Sequence, residues 1–194
     1  IIKNIFETDQ IKKENLILKQ ALKERNDYRN LIAGNSREID RVFILMDKAI
    51  QSKIPVSISG EAGTGKELIA RGIHYNSDRF NKPFVMMHIS SIPIENMESE
   101  LFGVEKKSNS DYNFVKPGRI EEANQGTLFL DSISDLDFNL QEKLVQVIKE
   151  SKLARLDGSE KIEVDVRIIS STQNNLAELV SENLFSHDLY YQLL

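Results

Sequence analysis

The run Pro55-Val56-Ser57-Ile58-Ser59-Gly60-Glu61-Ala62-Gly63-Thr64-Gly65-Lys66-Glu67 joins a short apolar segment to a glycine-rich loop with no spacer between them. Pro55 to Ser59 reads as a brief buried strand, and the residues from Lys66 to about Tyr75 read as a helix. The loop between them, Gly60, Glu61, Ala62, Gly63, Thr64, Gly65, Lys66 and Glu67, fits the pattern G-x-x-x-x-G-K. Glycines at these places let successive N–H groups turn inward on a phosphate, and Lys66 adds a positive charge. The N-terminus of the following helix presents its partial positive charge to the same anion, so the site needs no larger basic patch. A glycine-rich turn with an incidental lysine is the competing explanation. It does not account for glycines and lysine standing in register between a strand and a helix. Glu67 occupies the place where Ser or Thr usually holds magnesium, so metal contact is expected through water, Thr64 or Asp131.

Working outward, Phe84 to Ile89, Thr127 to Leu130 and Val164 to Ser170 read as further strands. A helix is predicted from Arg37 to Gln51, with Ile39, Phe43, Met46 and Ile50 on one face and Asn35 or Ser36 as its N-cap. Another is predicted from Phe138 to Ser151, burying Leu140, Leu144, Val147 and Ile148, and Asp157-Gly158 offers a hairpin turn after it. Alternating strands and helices predict an α/β fold with a helix-covered parallel sheet. Residues 1–29 lack glycine and proline and favour one continuous helix. Ile1, Ile11, Leu18 and Leu22 form its stripe, and Asn4, Thr8 and Asn15 complete alternating steps of three and four residues, the spacing of a coiled-coil seam. We therefore expect 1–30 to be a helical dimerisation linker and 31–194 a nucleotide-binding α/β unit. The alternative is an amphipathic helix packed on its own domain. A helical pattern is still running at Leu194, as expected for a fragment.

The chain has 194 residues, 40% of them hydrophobic, enough for one sizeable core and a short appendage. It has no cysteine, which excludes disulfides and thiolate metal sites and suits a reducing cytosol. The opening residues form neither a signal peptide nor a membrane span, so a cytoplasmic location and no membrane contact are expected. A net charge of −5 without a dense Lys/Arg block disfavours direct DNA binding by this segment.

Gly60 to Arg71, together with Ile73-His74, Glu100-Leu101-Phe102-Gly103, Gly126-Thr127-Leu128-Phe129-Leu130-Asp131 and Asp188-Leu189-Tyr190-Tyr191, resembles the NtrC family of sigma-54-dependent response regulators over about Leu31 to Leu194. The resemblance implies an AAA+ P-loop NTPase core binding ATP or ADP with Mg, a lid subdomain after Leu194, and ring assembly with ATP at subunit interfaces. It also implies two-component signalling, with a histidine kinase and DNA engaged through a receiver and a helix-turn-helix that lie outside this chain. Carried over by position, Asp131 would hold magnesium through water and Gln173 would reach a γ-phosphate. Ile32, Ala33 and Gly34 would lie on the adenine side of the pocket.

The departures from the family pattern carry information of their own. Lys107-Ser108-Asn109-Ser110-Asp111-Tyr112 stands where the family has GAFTGA, so this polar stretch argues against productive sigma-54 contact. Ser132 replaces the glutamate that polarises the attacking water, and a serine hydroxyl is a poor base. His88 replaces the asparagine that bonds that glutamate, and a lone histidine at a strand end is more often structural than catalytic. Ser186 and Gln192 replace the two arginines that neutralise phosphoryl charge in a neighbouring subunit. With the degenerate loop, Arg167 to Thr172 is similar to the NtrX subgroup. The expectation is an ATP/ADP-binding regulatory domain with weak or no hydrolysis. An active ATPase that remodels sigma-54 RNA polymerase is the alternative, and a vestigial site on a dimerised transcription factor is the third reading.

Overall fold

The computed structural model describes residues 13–14, 17–22, 24–32, 34, 36–106 and 114–194. They fall into two compact units. The first comprises Ile1–Ser52 and Leu68–Asn81, and the second comprises Lys53–Glu67 and Lys82–Leu194.

In the first unit the described residues 17–22 and 24–25 are helical, Asn26 is a turn, and a short helix α1 follows at Tyr28–Leu31. The continuous helix expected as far as Arg29 is therefore broken at Asn26–Asp27. The cause is local: Asn26 Nδ2 donates back to Leu22 O at 2.7 Å, and the Asp27 carboxylate accepts the Arg29 N–H at 3.1 Å as the cap of α1. Such side chains offer the backbone partners that a helix interior cannot use. Leu18 and Leu22 of the expected stripe are exposed, at 63% and 42%. Ile1, Asn4, Thr8, Ile11 and Asn15 lie outside the described residues.

Helix α2 spans Arg37–Gln51, capped by Ser36, whose hydroxyl accepts from Ile39 N at 3.3 Å. Met46 is buried on its apolar face, and the Phe43 ring sits 5.6 Å from that of Tyr28. The Tyr28 hydroxyl donates to Asp47, and Arg29 pairs with the same carboxylate at 2.7 Å. Helix α3, Lys66–Asn76, begins in the second unit and from Leu68 belongs to the first, where it buries Ala70, Gly72, Ile73 and His74.

The second unit is built on strands β1 (Val56–Ser59), β2 (Phe84–His88), β5 (Thr127–Asp131) and β8 (Arg167–Thr172), in the order β1-β8-β5-β2 and parallel throughout. The two central strands are buried, as both faces of a parallel sheet are covered. Leu128, Leu130 and Ile168 pack in one core with helices α4 (Ile94–Phe102), α5 (Arg119–Glu122) and α6 (Phe138–Glu150). Helix α6 buries Leu140, Gln141, Leu144 and Val145, while Val147 and Ile148 are only partly buried.

Two antiparallel ribbons complete the unit: β3 (Gly103–Lys106) with β4 (Phe114–Pro117), and β6 (Lys152–Ala154) with β7 (Lys161–Glu163). Asp157, at φ 58°, turns the second ribbon where a hairpin was expected. The last parallel strand begins at Arg167, three residues beyond its expected start, because 161–163 pair back across that ribbon. It also runs on through Ser171 and Thr172, whose hydroxyls find partners that make their burial tolerable. Helices α7 (Leu176–Ser181) and α8 (His187–Leu193) follow it.

Candidate functional site

Gly60 N donates to Thr172 O at 3.1 Å, extending the β1–β8 ladder by one step before the chain leaves the sheet. Gly63 and Gly65 then adopt φ +77° and +86°, the left-handed region that side chains disfavour. At Gly63 an added Cβ would meet nothing within 4 Å, so conformation rather than space requires glycine there. Thr64 Oγ1 donates to Glu61 O at 2.8 Å and closes the loop from inside. The loop delivers the chain directly into α3 at Lys66, and a helix N-terminus carries the partial positive charge that suits an anion. The Lys66 ammonium lies over the same turn, donating to Gly60 O at 2.8 Å and Glu61 O at 2.7 Å.

The sheet register gathers the other polar groups at the carboxyl ends of the strands. His88 is opposite Asp131, and Ser59 is opposite Thr172. Ser171 Oγ donates to one Asp131 oxygen, and His88 Nδ1 lies 2.9 Å from the other. Burial of Asp131 opposes its ionisation, yet the Ser171 and His88 hydrogen bonds, with the nearby Lys66 charge, hold its carboxyl below the usual range. Behind it, Asn174 Nδ2 donates to Ser134 Oγ at 3.2 Å, and Asn174 N donates to Thr172 Oγ1 at 3.0 Å. Gln173, between these residues, lines an open cavity of about 450 Å³ together with Ser59, Gly60, Glu61, Thr172 and Tyr190. Clefts at the carboxyl ends of parallel strands are where open α/β sheets bind ligands.

The structure thus brings Gly60, Glu61, Thr172 and Gln173 around one cavity and sets Asp131 and His88 against each other on neighbouring strand ends. Ile32, the C-cap of α1, and Gly34 belong to the first unit, and Ala33 lies outside the described residues, as does 107–113. Ser132 sits at φ 61°, ψ 50° and starts a short 3-10 turn, Ile133–Asp135. Ser186 is a buried N-cap: its hydroxyl accepts from Leu189 N at 3.3 Å and donates to Glu142 at 2.5 Å. Gln192 is half-buried on α8. Sequence reasoning missed Ser171, Ser134 and Asn174. The signal was present in Ser170-Ser171-Thr172, hydroxyls interrupting an otherwise apolar strand.

A magnesium ion on Asp131 would have to compete with this donor set. Both carboxylate oxygens already accept hydrogen bonds within the protein, and Glu67, in the position usual for a metal-binding hydroxyl, is itself engaged in the fold.

Residues 32–194 match the family model described as "Sigma-54 interaction domain". The nitrogen fixation protein VnfA of Azotobacter vinelandii is 41% identical over 100% of this chain and 37% of its own length. The chain therefore spans a little over a third of that relative. NtrX from Brucella abortus, crystallised in complex with ATP, is 34% identical with TM-score 0.76, covering 98% of this chain and 41% of its own. Its complex with ADP is 35% identical with TM-score 0.77, covering 92% and 40%. The P-loop NTPase domain of the sigma-54 transport activator from E. coli shares the fold at 22% identity and TM-score 0.53, covering 76% of this chain and 97% of its own.

Proposed function

Because this chain belongs to the sigma-54 interaction domain family and has an AAA+ P-loop NTPase fold, we propose that it binds ATP or ADP at the loop Gly60 to Glu67 and regulates transcription as part of a larger response regulator. One observation carries this reading: between β1 and Lys66 the loop turns through Gly63 and Gly65 in left-handed conformations, with the Lys66 ammonium held over it on Gly60 O and Glu61 O. The NtrX complexes with ATP and ADP support it by similarity. A ligand bound only to the folded state raises apparent stability by mass action. ATP and ADP should therefore raise the melting temperature of the unaltered chain and leave Lys66→Ala unmoved. Equal shifts in both would refute nucleotide binding at this loop.

The catalytic set supports slow turnover or none. Ser132 has no basic group to polarise water, and Ser186 is committed to capping α8. An arginine finger is worth on the order of a thousandfold or more in rate. Phosphate release by the full-length protein at the rate of an active relative would displace this reading in favour of an ATPase that remodels sigma-54 RNA polymerase, which family membership also suits.

Further proposals rest on narrower support. The polar 107–112 stretch supports a chain of the NtrX-like subgroup that does not drive sigma-54 productively. The exposed Leu18 and Leu22 support self-association through the N-terminal helix, and two-component signalling through a histidine kinase follows from the family. For Ile32, Ala33 and Gly34 as the adenine side, the resemblance alone is the support. Among the described residues no helix is long and apolar enough to cross a membrane, and we assign the protein to the cytoplasm with its family.

A further inference from the structure

The carboxylate that would serve a divalent cation is already occupied from two directions. Ser171, on β8, donates its hydroxyl to Asp131 Oδ1. His88, on β2, sets its Nδ1 2.9 Å from Asp131 Oδ2. These partners stand on the strands flanking β5 on either side, so the sheet itself places them. Ser171 and Asp131 are also largely out of solvent, with Ser171 at 0% and the Asp131 side chain at 27% exposure. A magnesium ion keeps near-ideal octahedral geometry and several waters, and those waters must find acceptor oxygens with free lone pairs facing them. Here the acceptor lobes nearest the flanking strands are filled by protein donors. The positive charge at hand to offset a phosphate belongs to the chain itself, the Lys66 ammonium over the loop on Gly60 O and Glu61 O.

We propose that this site takes its adenine nucleotide without a divalent cation, and that His88, by holding Asp131 from β2, is the residue that sets this independence. The proposal rests on the nucleotide-binding reading above. His88 acts here through Asp131 and is a positioning residue.

Calorimetric titration of ADP and of ATP into the purified chain, in excess EDTA and in millimolar magnesium chloride, separates the possibilities. The dissociation constants with and without magnesium should agree to within about threefold, a difference of roughly 0.7 kcal/mol. In His88→Asn, which frees Asp131 Oδ2, magnesium should tighten ADP by about tenfold or more. Ser171→Ala, which frees the other oxygen, should move in the same direction. The half-exposed His88 can be exchanged without opening the core. Manganese added in place of magnesium gives a second readout: its electron paramagnetic resonance signal should stay that of the free aqueous nucleotide complex with the unaltered chain and broaden with His88→Asn. Tightening of about tenfold or more by magnesium in the unaltered chain would overturn the proposal and leave nucleotide binding intact. Magnesium-independent binding that persists in both variants would remove His88 and Ser171 as its cause and overturn it as well. Absence of heat in both buffers would end this inference together with the nucleotide-binding reading.

Discussion

The backbone N–H of Ser186 donates to the side-chain Oε1 of Gln141 at 2.6 Å, joining the start of α8 to the first turn of α6 through a fully buried amide. The same Gln141 donates from Nε2 to Leu136 O at 2.7 Å, so one side chain satisfies two backbone groups. Removing it strands both. Each orphaned buried group costs about 1–3 kcal/mol, whereas loss of an N-cap hydroxyl costs about 1 kcal/mol. Urea denaturation should therefore rank Gln141→Leu as clearly more destabilising than Ser186→Ala. The reverse order would show that Gln141 is not the tie between the helices.

Gly72, on α3, is packed against the first-unit helices with no room for a side chain. An added Cβ would lie 2.8 Å from Tyr28 Cβ and 2.9 Å from Met46 Cε. Met46 can move its terminal methyl, but the Tyr28 Cβ is fixed by its backbone. Overpacking of a fitted core costs about 1–3 kcal/mol, so Gly72→Val should lower the denaturation midpoint and Gly72→Ala should do so less. If Gly72→Val is as stable as the unaltered chain, the close approach of α1 to α3 is not as described.

Among the described residues, Asp131, Glu100 and Asp188 have carboxyls held below their ordinary range. For Asp131, burial opposes the shift and the Ser171 and His88 hydrogen bonds overcome it; for Glu100 the Lys116 hydrogen bond dominates; for Asp188 it is the Lys149 hydrogen bond. A folded-state value below the unfolded one means the unfolded chain binds protons first. The stabilisation is complete above the unfolded carboxylate value of about 4 and is lost as pH falls through the lower folded-state value. Stability measured from about pH 7 to about pH 3 should fall, and the fall should be shallower in Glu100→Gln and Asp131→Asn. Curves parallel to that of the unaltered chain would contradict the assignment.

Arg155 ties the two ribbons of the second unit together. Its guanidinium donates to both oxygens of Glu121 at 2.9 and 2.7 Å and to Glu105 at 3.4 Å. Beside it, Glu105 N donates to Leu156 O at 2.9 Å and Leu156 N donates to Gly103 O at 3.0 Å. Lysine cannot reproduce the forked geometry. Hydrogen exchange at the Glu105 and Leu156 amides should accelerate in Arg155→Lys and more so in Arg155→Ala, with the amides of β5 unchanged. Unchanged exchange at Glu105 would sink this coupling.

Part of this fold is legible in the sequence itself. Periodicity located α2 with both its ends, because Ser36 caps it and its apolar face repeats at helical spacing. The glycines and lysine between Gly60 and Lys66 marked the loop, because short-range backbone chemistry leaves few alternatives for such a string. What misled was also local. Residues 1–29 carry no breaker of the usual kind, yet Asn26 and Asp27 end a helix by hydrogen bonds that composition does not announce. The hydroxyls of Ser171 and Thr172 hid the end of β8, since a polar residue reads as loop until a buried partner is known.

The amino-acid string by itself marked the four strands of the parallel sheet, the helices α2, α3 and α6, the glycine-lysine loop and the family to which it belongs, because each rests on residues near one another in the chain. Only the tertiary structure decided that Asp131 is shared between His88 and Ser171, 43 and 40 residues away, and that Ser186 is a buried cap held by α6. Those contacts depend on parallel strands meeting in a particular register and on helices packing across a sheet. No local pattern encodes either, since hydrogen bonds between distant residues form only once the core has brought their strands together.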